Sequence, residues 1–152
     1  MVSSQKLLMI CTLVLISINH LNAQYTTSDF SPTSLITDGL KAPGRMAADT
    51  NDHIYTTDAI QKNIVKYDEQ GNYIATIETS LSPLSIAIND NNQLFVGDKT
   101  TGSIYKVNQT GSKTLFYEGT SMPNSMVFGL NNILYIIDSH LKKVIGLDVS
   151  GT

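Results

Sequence analysis

The sequence predicts an all-β protein made of one small strand-rich unit repeated three times. Three observations predict it. Marker residues recur at an interval of 40 with no gap: Pro43, Pro83 and Pro123; Asn51, Asn91 and Asn131; Asp58, Asp98 and Asp138; Gly71, Gly111 and Gly151. Apolar positions keep the same step, as in Ile54, Leu94 and Leu134, or Ile64, Ile104 and Val144. No stretch carries the i, i+3, i+4, i+7 apolar pattern with caps that marks a helix. Self-similarity at such a period is the signature of a repeat architecture, in which each copy buries its apolar faces against the next.

Within a copy the elements follow from local chemistry. Met46 to Ala48, Ile86 to Ile88 and Met126 to Phe128 are short apolar runs suited to a first strand buried on both faces. The turns "DTND", "NDNN" and "GLNN" come next, rich in residues that tolerate left-handed or Asx-turn geometry. Ile54 to Thr57 and its copies form the second strand, and a loop starting at the Asp leads to the third, Ile64 to Tyr67 and copies. "DEQG", "NQTG" and "DVSG" are hairpin turns closed by a Gly that can take positive φ. Tyr73 to Ile77 and Lys113 to Tyr117 form fourth strands. Four short antiparallel strands per 40 residues describe a β-propeller blade. A β-solenoid is the competitor, but its coils are shorter and lack two Asn/Gly-rich hairpin turns per unit.

The leading segment is separable. Lys6 precedes the apolar run Leu7 to Ile18, polar residues follow, and Ala23 stands before Gln24. That is the layout of a secretory signal peptide over 1–23, with an apolar core shorter than the roughly 20 residues of a membrane span. Cleavage removes Cys11, the only cysteine, so a secreted or periplasmic mature chain is held by burial and strand pairing without a disulfide. A segment 24–42 with an outer strand over 33–37 comes next, then the three copies at 43–82, 83–122 and 123–152. With 41% hydrophobic and 15% charged residues the chain reads as globular, and its net charge of −3 argues against a nucleic-acid partner.

The pattern "P-x-x-[IM]-A", then "[DN]-x-N-x-x-[IL]-[YF]-x-x-D", then "[IV]-x-x-[YVL]-[DN]-x-x-G" resembles NHL repeats over residues 43–152. The resemblance implies a six-bladed propeller and a ligand- or protein-binding scaffold. The Asn-x-Arg common before the third strand of NHL repeats is absent: Gln61-Lys62-Asn63, Thr101-Gly102-Ser103 and Leu141-Lys142-Lys143 stand there. Lactonase-like propellers therefore stay open as relatives. The alternative function is a fragment of a six-bladed enzyme, lactonase-like or amidating-lyase-like.

Three blades do not close a ring of six. The third copy lacks its own fourth strand, and Thr33 to Thr37 sits one period before Tyr73 to Ile77, where it can supply one. Either the chain is part of a longer propeller, or two copies form a homodimeric ring in which each Thr33–Thr37 completes the other's third blade.

An acid needed once per blade reads as structural, so Asp58, Asp98 and Asp138 are expected to accept backbone N–H groups in the loop they open. No catalytic residue is assigned. Arg45, Ser85 and Ser125 open the first strands, where a propeller has its central channel, and are the candidate ligand-binding residues. Asp38, Glu78 and Glu118 recur after the fourth strand and could attract Ca²⁺, while a solvated turn acid is the plain reading. His53 and His140 fall in different columns with no ligand-like spacing, so no metal site and no cofactor other than that Ca²⁺ is assigned. Asn108-Gln109-Thr110 is an N-glycosylation pattern on a hairpin turn.

Overall fold

The computed structural model describes residues 35, 36 and 39–149. The signal-peptide reading, Asp38, Gly151 and most of the strand expected over 33–37 lie outside the described residues; Leu35 and Ile36 carry no strand assignment. Eleven strands and no helix are present among the described residues. They are β1 Pro43–Ala48, β2 Ile54–Asp58, β3 Asn63–Tyr67, β4 Tyr73–Glu78, β5 Pro83–Ile88, β6 Leu94–Asp98, β7 Ile104–Val107, β8 Lys113–Tyr117, β9 Pro123–Phe128, β10 Ile133–Asp138 and β11 Lys143–Asp148.

The strands form three antiparallel meanders, β1-β2-β3-β4, β5-β6-β7-β8 and β9-β10-β11. Two sheets have four strands and the third has three among the described residues, as expected for a copy without a fourth strand of its own. Each proline opens a first strand, the one interior position a residue without an N–H tolerates well. A bulge follows directly in all three, between Pro43 and Met46, Pro83 and Ser85, and Pro123 and Ser125. β1, β5 and β9 are edge strands of their sheets and lie against one another. The sheets therefore stack face to face around a common inner edge.

Strand periodicity sends alternate side chains to opposite faces, and the two sheet interfaces are the core. Between the first and second sheets, Tyr55, Ile64 and Ile77 meet Leu81, Ile86, Leu94, Val96 and Val107. Between the second and third, Ala87, Phe95 and Ile104 meet Met126, Leu134 and Ile136. Phe95 lies edge-on to Phe116 and Phe128, with centroids 5.0 and 5.2 Å apart. All five residues of β6 are buried, as suits an inner strand of the sheet that has a neighbour on each face. β10 shows the contrast: Leu134, Ile136 and Asp138 are buried, while Tyr135 and Ile137 between them are exposed.

The turns take the geometry their residues suit. Asp52, Asn92 and Asn132, equivalent in the three β1–β2-type turns, have φ near 60°. The hairpin glycines Gly71 and Gly111 have φ of 83° and 84°.

Candidate functional site: the inner-strand groove and its rims

The recurring acid is fully committed. Asp58 Oδ1 accepts the N–H groups of Ile60 (3.0 Å) and Gln61 (2.8 Å), and Oδ2 accepts those of Lys41 (2.6 Å) and Ala42 (3.1 Å). Asp98 accepts from Ser82 N–H (2.7 Å), Thr101 N–H (3.1 Å) and the Thr101 hydroxyl (2.9 Å). Asp138 accepts from Ser121 (2.6 Å), Met122 (3.3 Å) and Leu141 (2.8 Å). All three carboxylates are buried. Each one ties the loop after the second strand to the segment that enters the first, so it clips the start of one strand to the exit of its neighbour. Sequence reading anticipated the loop bonds but not the second set. For Asp58 and Asp138 burial works to raise the pKa, but the surrounding N–H bonds outweigh it and hold both carboxyls below the usual range.

At the opposite end of the strands a second polar group stands between the first and second sheets. Asp49, buried at the end of β1, accepts the N–H groups of Asn51 (2.9 Å) and His53 (3.0 Å) on Oδ1. Its Oδ2 meets His53 Nδ1 at 2.9 Å, receives the Tyr55 hydroxyl at 3.2 Å and lies 3.8 Å from Lys66 Nζ. Lys66 also covers the Tyr55 ring at 5.0 Å, and Gln109 from the second sheet's outer turn donates to the Tyr55 oxygen at 3.4 Å. Burial would raise the Asp49 pKa, yet the bonds from His53 and Asn51 lower it overall. Sequence reading placed His53 alone. The signal that marks the cluster is departure from the repeat: the Asp49 column reads Asn89 and Gly129 in the other copies, and the His53 column reads Gln93 and Ile133. The turns at this rim are also cross-linked, by Thr50 N–H and hydroxyl to Asn92 Oδ1, both 2.9 Å, and by Asn89 Nδ2 to Asn132 Oδ1 at 3.4 Å.

Between the rims, β1, β5 and β9 enclose a groove of about 300 Å³. Met46, Ile86, Met126, Val127 and Phe128 line it together with Asp90, and more of its accessible surface is polar than apolar.

The residues expected to line a channel do not share one environment. Arg45 is exposed, and its Nε donates to the Asn124 carbonyl at 3.2 Å, joining the first sheet to the third. Ser85 is fully buried beneath the third sheet, close to Gly97 and Pro123, and its hydroxyl has no hydrogen-bond partner. Ser125 is half-buried and lies on the face of the third sheet that points away from the second. The placement of Ser85 corrects the sequence expectation for that residue. A first strand turns its edge toward the axis, so side chains in this column point across to the following blade rather than into the groove.

Glu78 receives Asn63 Nδ2 at 3.4 Å and Glu118 is exposed in the next crossover. Among the described residues no three His, Cys, Asp or Glu side chains gather as a metal-holding group. His140 lies exposed in the loop opened by Asp138. Asn108 is exposed on the β7–β8 turn, and its Oδ1 accepts Thr110 N–H (3.0 Å), Ser112 N–H (2.9 Å) and the Thr110 hydroxyl (2.8 Å).

No family model and no curated relative matches the sequence. Solved structures do. The chain is similar to virginiamycin B lyase from Staphylococcus aureus, with a TM-score of 0.65 at 19% identity over 84% of this chain and 45% of that one. It is similar to a chain of a nidogen–laminin complex, with a TM-score of 0.69 at 20% identity over 78% of this chain and 48% of that one. A gluconolactonase from Xanthomonas campestris gives a TM-score of 0.58 at 14% identity over 66% of this chain and 36% of that one. The stacked antiparallel sheets and these likenesses define the class: the chain is built of β-propeller blades. It spans less than half the length of each of these three structures.

Proposed function

We propose that the chain forms consecutive blades of an exported, NHL-like, six-bladed propeller that serves as a binding scaffold. The repeat motif supports the NHL reading and the apolar run at residues 7–18 supports export. The observation that carries the binding role is the groove at the inner edges of the three sheets. Its mixed lining, a largely polar surface with Met and Phe side chains beside the Asp90 carboxylate, suits an amphipathic ligand with a cationic or donor end. The partner is a small molecule or a protein segment of that chemistry. The signature carboxylates do not compete for a catalytic role, because backbone N–H groups occupy them.

The enzyme reading has one observation of its own. Asp49 Oδ2 against His53 Nδ1 at 2.9 Å orients an imidazole at a rim also holding Tyr55 and Lys66, and this set occurs in one copy only. Two structural neighbours are named as a lyase and a gluconolactonase.

One set of titrations separates the two. The chain is titrated by calorimetry with small amphipathic amines, and incubated with gluconolactone and with a streptogramin B. Saturable amine binding that Met46→Asp, at an exposed position of the groove, abolishes, without turnover of either compound, is the expected result. Turnover lost in His53→Ala but kept in Met46→Asp would replace the scaffold reading with the enzyme.

A further inference from the structure

We propose that the inner-strand groove takes an extended peptide segment carrying a basic side chain, added as a further strand along the open edge of β1. This rests on the binding-scaffold reading of the same groove, and it narrows the ligand from amphipathic compounds at large to a polypeptide main chain.

The make-up of the groove surface carries the inference. Asp90 is the one polar side chain among the residues that line it, yet more of its accessible surface is polar than apolar. The rest of that polar surface is therefore main chain. Strand register identifies the groups. In an antiparallel ladder, pairs that exchange N–H···O bonds alternate with pairs whose N–H and C=O groups point away from the partner. The bond from Asp49 N–H to the His53 carbonyl, 3.0 Å, sets the phase at the end of β1. Two residues back, Ala47 opposite Tyr55 is a bonded pair, whereas Met46 opposite Thr56 and Ala48 opposite Ile54 are not. The equivalent bonds, Asn89 to Gln93 at 3.2 Å and Gly129 to Ile133 at 2.9 Å, turn the groups of Ile86, Ile88, Met126 and Phe128 the same way. Among the described residues β1, β5 and β9 are all sheet edges and no ladder joins them to one another, so these groups face the groove without a strand partner.

Access selects β1. Met46 and Ala48 are exposed, whereas Ile86 and Met126 retain 3% and 8% of their exposure. An open edge repeats its outward N–H and C=O groups roughly every 7 Å, and another extended main chain repeats its own at the same spacing. A small amine offers donors at a single point and no acceptor. Asp90 is exposed on the turn after β5, and among the described residues no ion pair holds its carboxylate. It gives a lysine or arginine of the peptide a counter-charge, which adds selectivity more than affinity at an exposed site.

The probe is the peptide acetyl-Thr-Val-Lys-Val-Thr-amide, with its lysine central so that either chain direction serves. It is titrated by calorimetry beside hexylamine, a norleucine analogue, and two analogues N-methylated on alternate residues, one for each edge of the peptide. Saturable peptide binding about tenfold tighter than hexylamine is expected, with a loss of about tenfold on methylating one edge. The norleucine analogue should bind a few-fold more weakly than the parent, and Asp90→Asn should remove that difference. Amide hydrogen exchange followed by NMR locates the contact. Bound peptide should slow exchange at Met46 and Ala48 and leave Ala47, already paired with Tyr55, unchanged. Indifference to methylation of either edge overturns the proposal, as does unaltered exchange at Met46 and Ala48 in the saturated complex. A norleucine analogue that binds as tightly as the parent overturns the pairing with Asp90. Saturable hexylamine binding with no tighter binding of the peptide removes the peptide and spares the scaffold reading. Binding of neither compound sinks both.

Discussion

Asp58, Asp98 and Asp138 each accept N–H groups from two chain segments, the loop that follows and the crossover about 16 or 17 residues earlier. Removing such a carboxylate leaves several buried donors without an acceptor. Asp58→Ala should therefore cost about 2–4 kcal/mol by denaturant melts, and Asp58→Asn about 1–3, since the amide keeps one acceptor but turns a donor toward N–H groups. The pH dependence has a definite sign. The folded-state values of Asp58 and Asp138 are depressed, so their contribution is complete above the free-carboxyl value of ~3.9 and drains away as pH falls through it toward the folded values. The melting temperature should fall steeply below about pH 4 in the parent chain and less steeply in Asp58→Asn. A variant that melted like the parent at every pH would refute the clip. The repeat spacing made these acids legible as structural, because a role needed once per blade recurs. Which segments they tie was not legible, since the second donor set comes from a crossover that only the folded chain brings near.

Among the turns, the two described hairpin glycines answer to different surroundings. Both have φ above 80°, where a side chain is strained in any case. A Cβ on Gly111 would collide with the carbonyl oxygen of Glu78, part of β4 and held in its ladder with Asn63. A Cβ on Gly71 would collide with a carbonyl oxygen too, that of Leu35 at 2.5 Å, but Leu35 stands in a stretch with no strand assignment to hold it in place. Gly111→Ala should accordingly cost about 2–4 kcal/mol and Gly71→Ala about 1–2 by the same melts. Equal losses would mean that backbone strain alone sets the penalty and the approach of β4 contributes nothing. Strand positions, turn residues and the Pro–bulge start of each first strand follow the periodicity closely. The Asp49–His53–Lys66 rim escaped it because three residues spread over β1, its turn and β3 converge only through pairing.

Across the whole molecule, equivalent columns experience opposite environments. Ile104 is fully buried between two sheets, and Val144 in the same column faces solvent. Ile104→Ala should lower stability by about 2–5 kcal/mol, whereas Val144→Ala should change it by less than about 0.5. Comparable losses at both sites would show that the outward face is covered in solution.

The sequence by itself determined the unit: its 40-residue period, its strand and turn positions, and the structural character of its recurring acid. Those properties are local or repeated, so spacing encodes them. Tertiary structure alone decided what each side chain faces. Ser85 is sealed between sheets, Arg45 reaches Asn124 and Val144 stands bare, although all belong to regular columns. The reason is that a blade's faces are equivalent in sequence but not in space. Their burial depends on the neighbouring sheet, which no single copy specifies.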